Sequence, residues 1–429
     1  MLLWLEKFVF YSLIFALPFQ TRKIIAQFGG GAFNEWLGAY VYLTDILLLA
    51  LVFLWFWRRR KDRFFKNLGW AWLGEKIKSP DSWLIIFLAI ALVSLSQAES
   101  VQLGVYGWLK LLEFSLFFFY LKSNAGLIFN LRHLAPVVVF SGLVQSIIAI
   151  GQYLSQKSLG LWFLGESPLA LDIDGVAKIT VSGEKIVRAY GGLPHPNLLA
   201  IFLLLSVFFL YYLWLGGKHS FRRNIFFIAG YALLFAALCL TFSRLIMAVF
   251  LLASFVYFTL NFKKQKKKTL GLFSIVAINA LIAVAWAWPE FSGRFNISLQ
   301  EQSVVLRQIY NQFAFLFISE QPFLGVGQGN FVFRLREMLD LMSPWIWQPV
   351  HNIYLLMASE TGLIGLSVFL LFLFRLFKNA FGQRKTFILL IGFSFLFIGM
   401  FDHFFWTLQQ GQLAWWLVLG LLSGKLSAD

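Results

Sequence analysis

Residues 197–215 read NLLAIFLLLSVFFLYYLWL, nineteen positions without one charged side chain. A helix needs about 20 apolar residues to cross the hydrocarbon of a bilayer, so this run reads as a transmembrane span. The same texture extends outward in both directions. The 429-residue chain is 59% hydrophobic and 13% charged, whereas a soluble domain carries about 25% charged residues. Its 51 Phe and 17 Trp suit lipid-facing and interfacial helix surfaces. The single cysteine, Cys239, lies inside an apolar run, which excludes a disulfide framework and a Cys-based zinc site. The net charge of +16 comes from short cationic blocks set between apolar segments. That placement is a topology signal, so membrane lipids are expected as partners and nucleic acid is not.

Twelve segments have the apolar character of spans, near 4–19, 37–57, 83–98, 101–121, 134–154, 197–215, 224–242, 243–261, 270–288, 351–374, 386–401 and 404–423. The expected fold is therefore all-α and polytopic, with about 12 transmembrane helices. No internal repeat, heptad pattern or low-complexity linker divides the chain, so residues 1–429 read as one membrane domain. The first segment exits through Pro18-Phe19-Gln20, which lacks the small residues of a cleavage site, and is expected to be a retained helix. With a cytoplasmic N-terminus, 24 of the 36 Lys and Arg fall inside, 11 outside, and Lys110 within a span. The positive-inside rule favours that orientation, with both termini cytoplasmic.

Two long outer segments then remain, 155–196 and 289–350, and they hold the polar sequence available for chemistry on water-soluble groups. Pro289 is expected to end the helix before it. Residues 300–318 read as amphipathic, with Arg307, Gln308, Asn311 and Gln312 on one face and Val305, Ile309, Phe313 and Leu316 on another. Such a helix suits the outer membrane interface.

Three motifs stand at this outer side. Arg244, in Thr241-Phe242-Ser243-Arg244, falls at the junction of two spans, where a cation must snorkel or meet an anion. Arg307 is followed by Pro322-Phe323-Leu324-Gly325-Val326-Gly327-Gln328-Gly329-Asn330-Phe331. His351-Asn352 opens the tenth span and leads to Gly362 and Gly365. In these residues the chain resembles the O-antigen ligase and polymerase superfamily of bacterial membrane glycosyltransferases. His351, Asn352, Gly362 and Gly365 meet the ligase pattern of His, Asn/Ser/Gln, nine residues, Gly, two residues and Gly/Thr/Tyr. The Arg307 segment with its glycine run looks like the family's large periplasmic loop, which contains amphipathic helices. Arg188-Ala189-Tyr190-Gly191-Gly192 before His195-Pro196-Asn197 also looks familial. The family's Arg-three-residues-Leu motif is imperfect, since Arg244 is followed at that spacing by Ala248.

The resemblance implies transfer of a glycan from a polyprenyl diphosphate to a hydroxyl of an acceptor glycolipid or glycan. It places the reaction on the outer face of the bacterial cytoplasmic membrane. Such a leaving group carries several negative charges, for which Arg244 and Arg307 offer permanent charge and planar donor forks. A neutral imidazole suits a general base toward a sugar hydroxyl, the role expected of His351. Arg188, His195 and Asn352 are expected to bind substrate. No cofactor and no metal are expected, because the arginines supply the positive charge.

Each residue also has a plainer reading: Arg244 as an interfacial anchor, Arg307 as a solvated face, His351 as a helix N-terminal residue. Lys110 and Glu113 read as an intramembrane ion pair, and Glu360 as a buried structural partner. Asp402-His403 lies at an outer turn and is not assigned to the site. Asp172-Ile173-Asp174 has the Asp-x-Asp form of metal-dependent sugar transferases, yet it lies in an outer loop where nucleotide sugars are absent. Gly325, Gly327 and Gly329 lack the strand that precedes a dinucleotide loop. A polysaccharide polymerase would share the architecture and the donor. A solute transporter is the alternative of a different class, although transporters favour ionisable groups near the membrane midplane.

Overall fold

The computed structural model describes residues 1–30, 33–60, 79–181, 183–295, 302–383 and 385–425, with side chains at 287–303 left aside. Residues 296–301 of the second outer segment, and the inner cations Lys61, Arg63, Lys66, Lys76, Lys78 and Arg384, lie outside the described residues. The chain is mostly helical, with fifteen α-helices among the described residues. Two short hairpins qualify the all-α expectation. Strand β1 (Arg22–Gln27) pairs antiparallel with β2 (Gly38–Tyr42) through a bulge between Ile24 and Ala26. Strand β3 (Lys178–Val181) pairs with β4 (Glu184–Val187). Ile24, Val41, Ile179, Val181, Ile186 and Val187 are β-branched, which favours pleated over helical backbone.

Among the described residues, eight helices are long and apolar enough to cross a membrane. Four expected spans are shorter. Helix α1 (Leu2–Ala16) has 15 residues and stops ahead of Pro18. Helix α2 (Leu43–Arg59) has 17, because the expected span 37–57 took in strand β2. The last two expected spans contain helices of 13 residues (Thr386–Ile398) and 15 (Gln409–Ser423). Extended Leu408, at φ −102° and ψ 131°, separates the last from a short helix at Phe404–Thr407. Pro289 does not end its helix either: the backbone stays helical from Lys266 to Phe295. A membrane helix tolerates an internal proline where neighbouring groups satisfy the freed carbonyl.

The described residues form two compact units. One comprises residues 1–10, 22–128 and 299–425. In it α3 (Pro80–Ser94) packs on a long helix at Ile353–Gly382, and α4 (Val101–Asn124) packs on the C-terminal helix. Ser79 caps α3 by accepting from Ser82 N, and Pro80 stands at the first helical turn, where its missing N–H costs nothing. Two sets of charges buried in this unit are paired. Glu6 is fully buried and accepts from Arg58 at 2.6 and 2.8 Å and from the Tyr120 hydroxyl at 3.2 Å. Lys110 reaches Asp45 at 2.7 Å and Glu113 at 2.9 Å, so the expected ion pair is present with a second carboxylate.

The other unit comprises residues 11–21 and 129–298. Its α5 (Leu131–Ser155) packs on α6 (Pro196–Gly216) and α7 (Phe221–Leu240). Helix α6 is the opening sequence run, and 89% of its apolar window is buried, which makes it the unit's core. Gly142 of α5 lies against Ser206 of α6, a small-residue contact that lets the two backbones approach. Leu251, Leu252 and Phe255 on α8 (Arg244–Phe262) and Leu281 and Ile282 on α9 (Lys266–Phe295) are exposed, as lipid-facing positions should be.

Candidate functional site

In the first unit, α10 (Gln302–Glu320) buries Tyr310, Ala314 and Phe317 in a core with Leu37, Val326, Phe331, Trp347, Val350 and Leu356. This differs from the face read in the sequence, since Val305 and Leu316 are exposed and Arg307 is half-buried. The packing face follows the residues that fit the tertiary core, not the summed apolar character of the helix. Arg307 stands one turn before Tyr310 and therefore shares its side. Among the described residues Arg307 makes no ion pair or hydrogen bond.

His351 is fixed by its neighbours. Val350 and Ile353 are buried at 0% and 1% exposure, Asn352 N donates to Val350 O at 2.8 Å, and Ile353 N donates to Gly399 O at 2.9 Å. The Tyr310 ring runs parallel to the imidazole, and the His403 ring meets it edge-on with centroids 4.8 Å apart. His403 in turn shares a hydrogen bond between Nδ1 and Thr407 Oγ1 at 2.7 Å and packs edge-on against Trp36. Nδ1 of His351 is buried without a hydrogen-bond partner among the described residues. Burial, and then the nearby Arg307 charge, hold the His351 pKa at about 3, while the backbone at Pro349 pulls the other way. The ring is consequently neutral across the physiological range and can accept a proton in passing.

Asn352 is the N-cap of α11 (Ile353–Gly382): its Oδ1 accepts from Tyr354 N at 2.9 Å and Leu355 N at 3.1 Å. Gly362 breaks the regular backbone of α11 with φ 71° and ψ 175°. Leu363 N donates to Pro322 O at 2.8 Å and Val326 N to Ser359 O at 2.8 Å. The glycine run thus runs directly against this break. A Cβ on Gly325 would lie 2.6 Å from Glu360 C, and one on Gly362 would meet the Phe323 carbonyl. Gly325, Gly327 and Gly329 all have positive φ, so three glycines serve close backbone approach and turning. Glu360 accepts from Trp406 Nε1 at 2.9 Å, a buried structural partner as read from the sequence.

In the second unit, Arg188 is 7% exposed and donates through Nε to Thr241 O at 2.6 Å and through its terminal nitrogen to Asn197 Oδ1 at 2.7 Å. It ties the loop before α6 to the turn that carries Arg244, where Phe242 adopts a left-handed φ of 47°. His195 caps α6, its Nδ1 accepting from Asn197 N at 3.1 Å. Gln152 and Gln145 of α5 hold the Tyr190-Gly191-Gly192 backbone through their side-chain oxygens. Arg244 is the first residue of α8 and is half-buried. Asp172 and Asp174 are exposed.

Residues 229–370 match the family model of the O-antigen ligase. Over that stretch the chain is similar to the O-antigen ligase family, which supports the superfamily resemblance read in its motifs. No curated protein matches the chain. The ligase stretch contains Arg244, Arg307, His351, Asn352 and both motif glycines, and it leaves out Arg188 and His195. The match, with eight long apolar helices among the described residues, supports a membrane protein of O-antigen ligase or polymerase type. Tyr310, Trp36 and His403 went unassigned from the sequence. Tyr310 had a local signal in its spacing from Arg307, whereas Trp36 and His403 reach the histidine only through tertiary packing.

Proposed function

We propose that the protein moves a preformed glycan from a polyprenyl diphosphate carrier to a hydroxyl of an acceptor glycolipid or glycan. The reaction is assigned to the outer face of the bacterial inner membrane, with residues 155–196 and 289–350 outside and both termini cytoplasmic. One observation supports this reading above the rest: a neutral, held imidazole at His351 with Arg307, which has no ion pair or hydrogen bond among the described residues, close enough to depress its pKa. A base and an anion-binding cation side by side suit attack of a hydroxyl at a carbon whose leaving group is a diphosphate. In the proposed step the acceptor oxygen bonds to the anomeric carbon as the bond to the lipid diphosphate breaks. His351 takes the hydroxyl proton, and Arg307 stabilises charge gathering on the phosphate. Arg244 is assigned the same phosphate chemistry. Arg188, His195 and Asn352 act as supports of the substrate-facing loops and helix start.

A polymerase would use the same groups and differ in the hydroxyl that enters. The complete His351–Gly365 pattern favours ligation. Purified protein should be given a lipid diphosphate-linked single repeat, first alone and then with a candidate acceptor. Ligation gives no chain growth in the first mixture and one-step modification of the acceptor in the second. A ladder of products from the donor alone rejects ligation in favour of polymerisation. Uptake of a solute into vesicles without glycan transfer would favour the transporter reading.

A further inference from the structure

Thr407 follows His403 by one helical turn, so the short helix at Phe404–Thr407 brings the two side chains to one face. Their hydrogen bond fixes a proton. The Thr407 hydroxyl has a single hydrogen, which it donates to His403 O at 3.2 Å. In the 2.7 Å contact with Nδ1 the hydroxyl oxygen therefore accepts, and Nδ1 of His403 carries the hydrogen. An anchored nitrogen, an exposure of 1% and the edge-on Trp36 ring at 5.0 Å leave the His403 imidazole little freedom to turn. Trp36 is braced as well. Its backbone N donates to Asn34 Oδ1 at 2.9 Å. Asn34 Nδ2 donates to Pro344 O at 2.8 Å and to Trp347 O at 3.1 Å, on the segment that leads to His351.

A basic imidazole is ordinarily oriented by a hydrogen bond at one ring nitrogen. Nδ1 of His351 has no such partner among the described residues. Its ring is met instead by Tyr310 and, perpendicular with centroids 4.8 Å apart, by His403. We propose that His403, fixed by Thr407, is a positioning residue that holds the His351 ring in the orientation of a base. The base role rests on the transfer reading above, whereas the coupling of the two rings does not. Trp36, His403 and Thr407 all lie outside residues 229–370, so this support comes from parts of the chain beyond the ligase stretch.

Two substitutions separate the Thr407 hydroxyl from its shape. Thr407→Val keeps the branched outline and removes the acceptor, while Thr407→Ser keeps the acceptor and removes the methyl. One measurement needs no substrate. The chain has five histidines, so the full-length protein with isotope-labelled histidine gives few enough NMR signals to assign by single substitution. His403 should show the form protonated at Nδ1. The His351 signals, identified by their loss in His351→Ala, should move in Thr407→Val and stay in place in Thr407→Ser. A His403 protonated only at Nε2, or His351 signals unmoved in Thr407→Val, overturns the proposal.

In the transfer assay above, Thr407→Val should lower kcat about tenfold or more and leave both KM values within about twofold. Thr407→Ser should stay within about threefold of wild type. His403→Leu should lose at least as much as Thr407→Val. His403→Asn, whose amide N–H can replace the Nδ1 donor, should recover part of that loss. An unchanged kcat in Thr407→Val, or losses as large in Thr407→Ser, would reduce the pair to packing and overturn the positioning role. No transfer by the wild-type protein, with the His351 signals still moving in Thr407→Val, would sink the transfer reading and leave the coupled rings standing.

Discussion

Tyr310 lies parallel to His351, with ring centroids 5.8 Å apart and 7° between the planes. The Tyr310 hydroxyl donates to Ile346 O at 2.6 Å, which stops the phenol from rotating away. The imidazole thus has a fixed phenol ring beside it. The stacked ring belongs to the helix that carries Arg307, so one packed contact links the proposed base to the element of the proposed cation.

A pH dependence follows from that arrangement. An unfolded histidine titrates near 6.5, and His351 in the folded chain near 3. Between these values the unfolded chain binds a proton that the folded chain refuses. The stability contributed by the neutral ring is full above about pH 6.5 and is lost as pH falls toward 3. The acid limb of kcat/KM should accordingly lie below about pH 5, not near the ordinary histidine value. Arg307→Gln removes the second cause of the depression and should move His351 titration upward. The His351-dependent part of diethyl pyrocarbonate modification, taken as the difference from His351→Ala, reads this shift. An unchanged midpoint would separate Arg307 from His351.

His351→Ala should lower glycan transfer by about 10²–10⁴-fold, the ordinary contribution of a general base. Arg307→Ala and Arg244→Ala should each be comparably damaging, and Arg307→Lys should recover only part of the loss, since a point charge lacks the guanidinium fork. Transfer is measured at matched membrane expression. Near-normal rates in all three alanine variants would end the proposed mechanism.

Gly362→Ala should destabilise the first unit through backbone strain of about 1–3 kcal/mol and through collision with the Phe323 carbonyl. Gly382→Ala, where an added Cβ meets nothing within 4 Å, is the control. Thermal unfolding in detergent should separate the two, and equal melting temperatures would contradict the close approach.

Glu6→Ala should cost about 3–5 kcal/mol, because it leaves Arg58 without the carboxylate it grips at 2.6 Å. A Glu6→Ala, Arg58→Ala double variant should recover part of that loss. Strict additivity in the unfolding measurements would mean that the pair contributes no coupling.

Cys239 is 4% exposed, so labelling experiments can use a Cys239→Ser background without disturbing a surface. Trp162 and Leu341 are exposed at 80% and 97%, and Phe221 at 81%. Cysteines placed at 162 and 341 should react with an impermeant maleimide from the outer side, and one at 221 from the cytoplasmic side. The reverse pattern would invert the proposed topology.

The long apolar helices were legible because burial in lipid leaves a continuous signal, as in residues 197–215. The shorter ones were misjudged where strand or extended backbone shares that apolarity, as at Gly38–Tyr42 and Leu408. His351 and Arg307 were singled out in the sequence by motif and charge. Ring contacts to His351 from Tyr310 and His403 were not, since the two lie 41 residues before and 52 after it and nothing local links them. Asn352 shows a further limit: the same spacing serves a helix cap, and sequence does not distinguish a cap from a ligand contact.

The fit between Pro322–Gly329 and the break at Gly362 has a consequence for exchange between relatives. Each backbone fills space that a side chain on the other would need. Neither segment can therefore be transplanted alone. A hybrid that swaps the loop for that of a related protein must carry the Ser359–Gly365 turn with it. Natural variation in the two should be inherited as a matched set, however far apart their positions are in the gene.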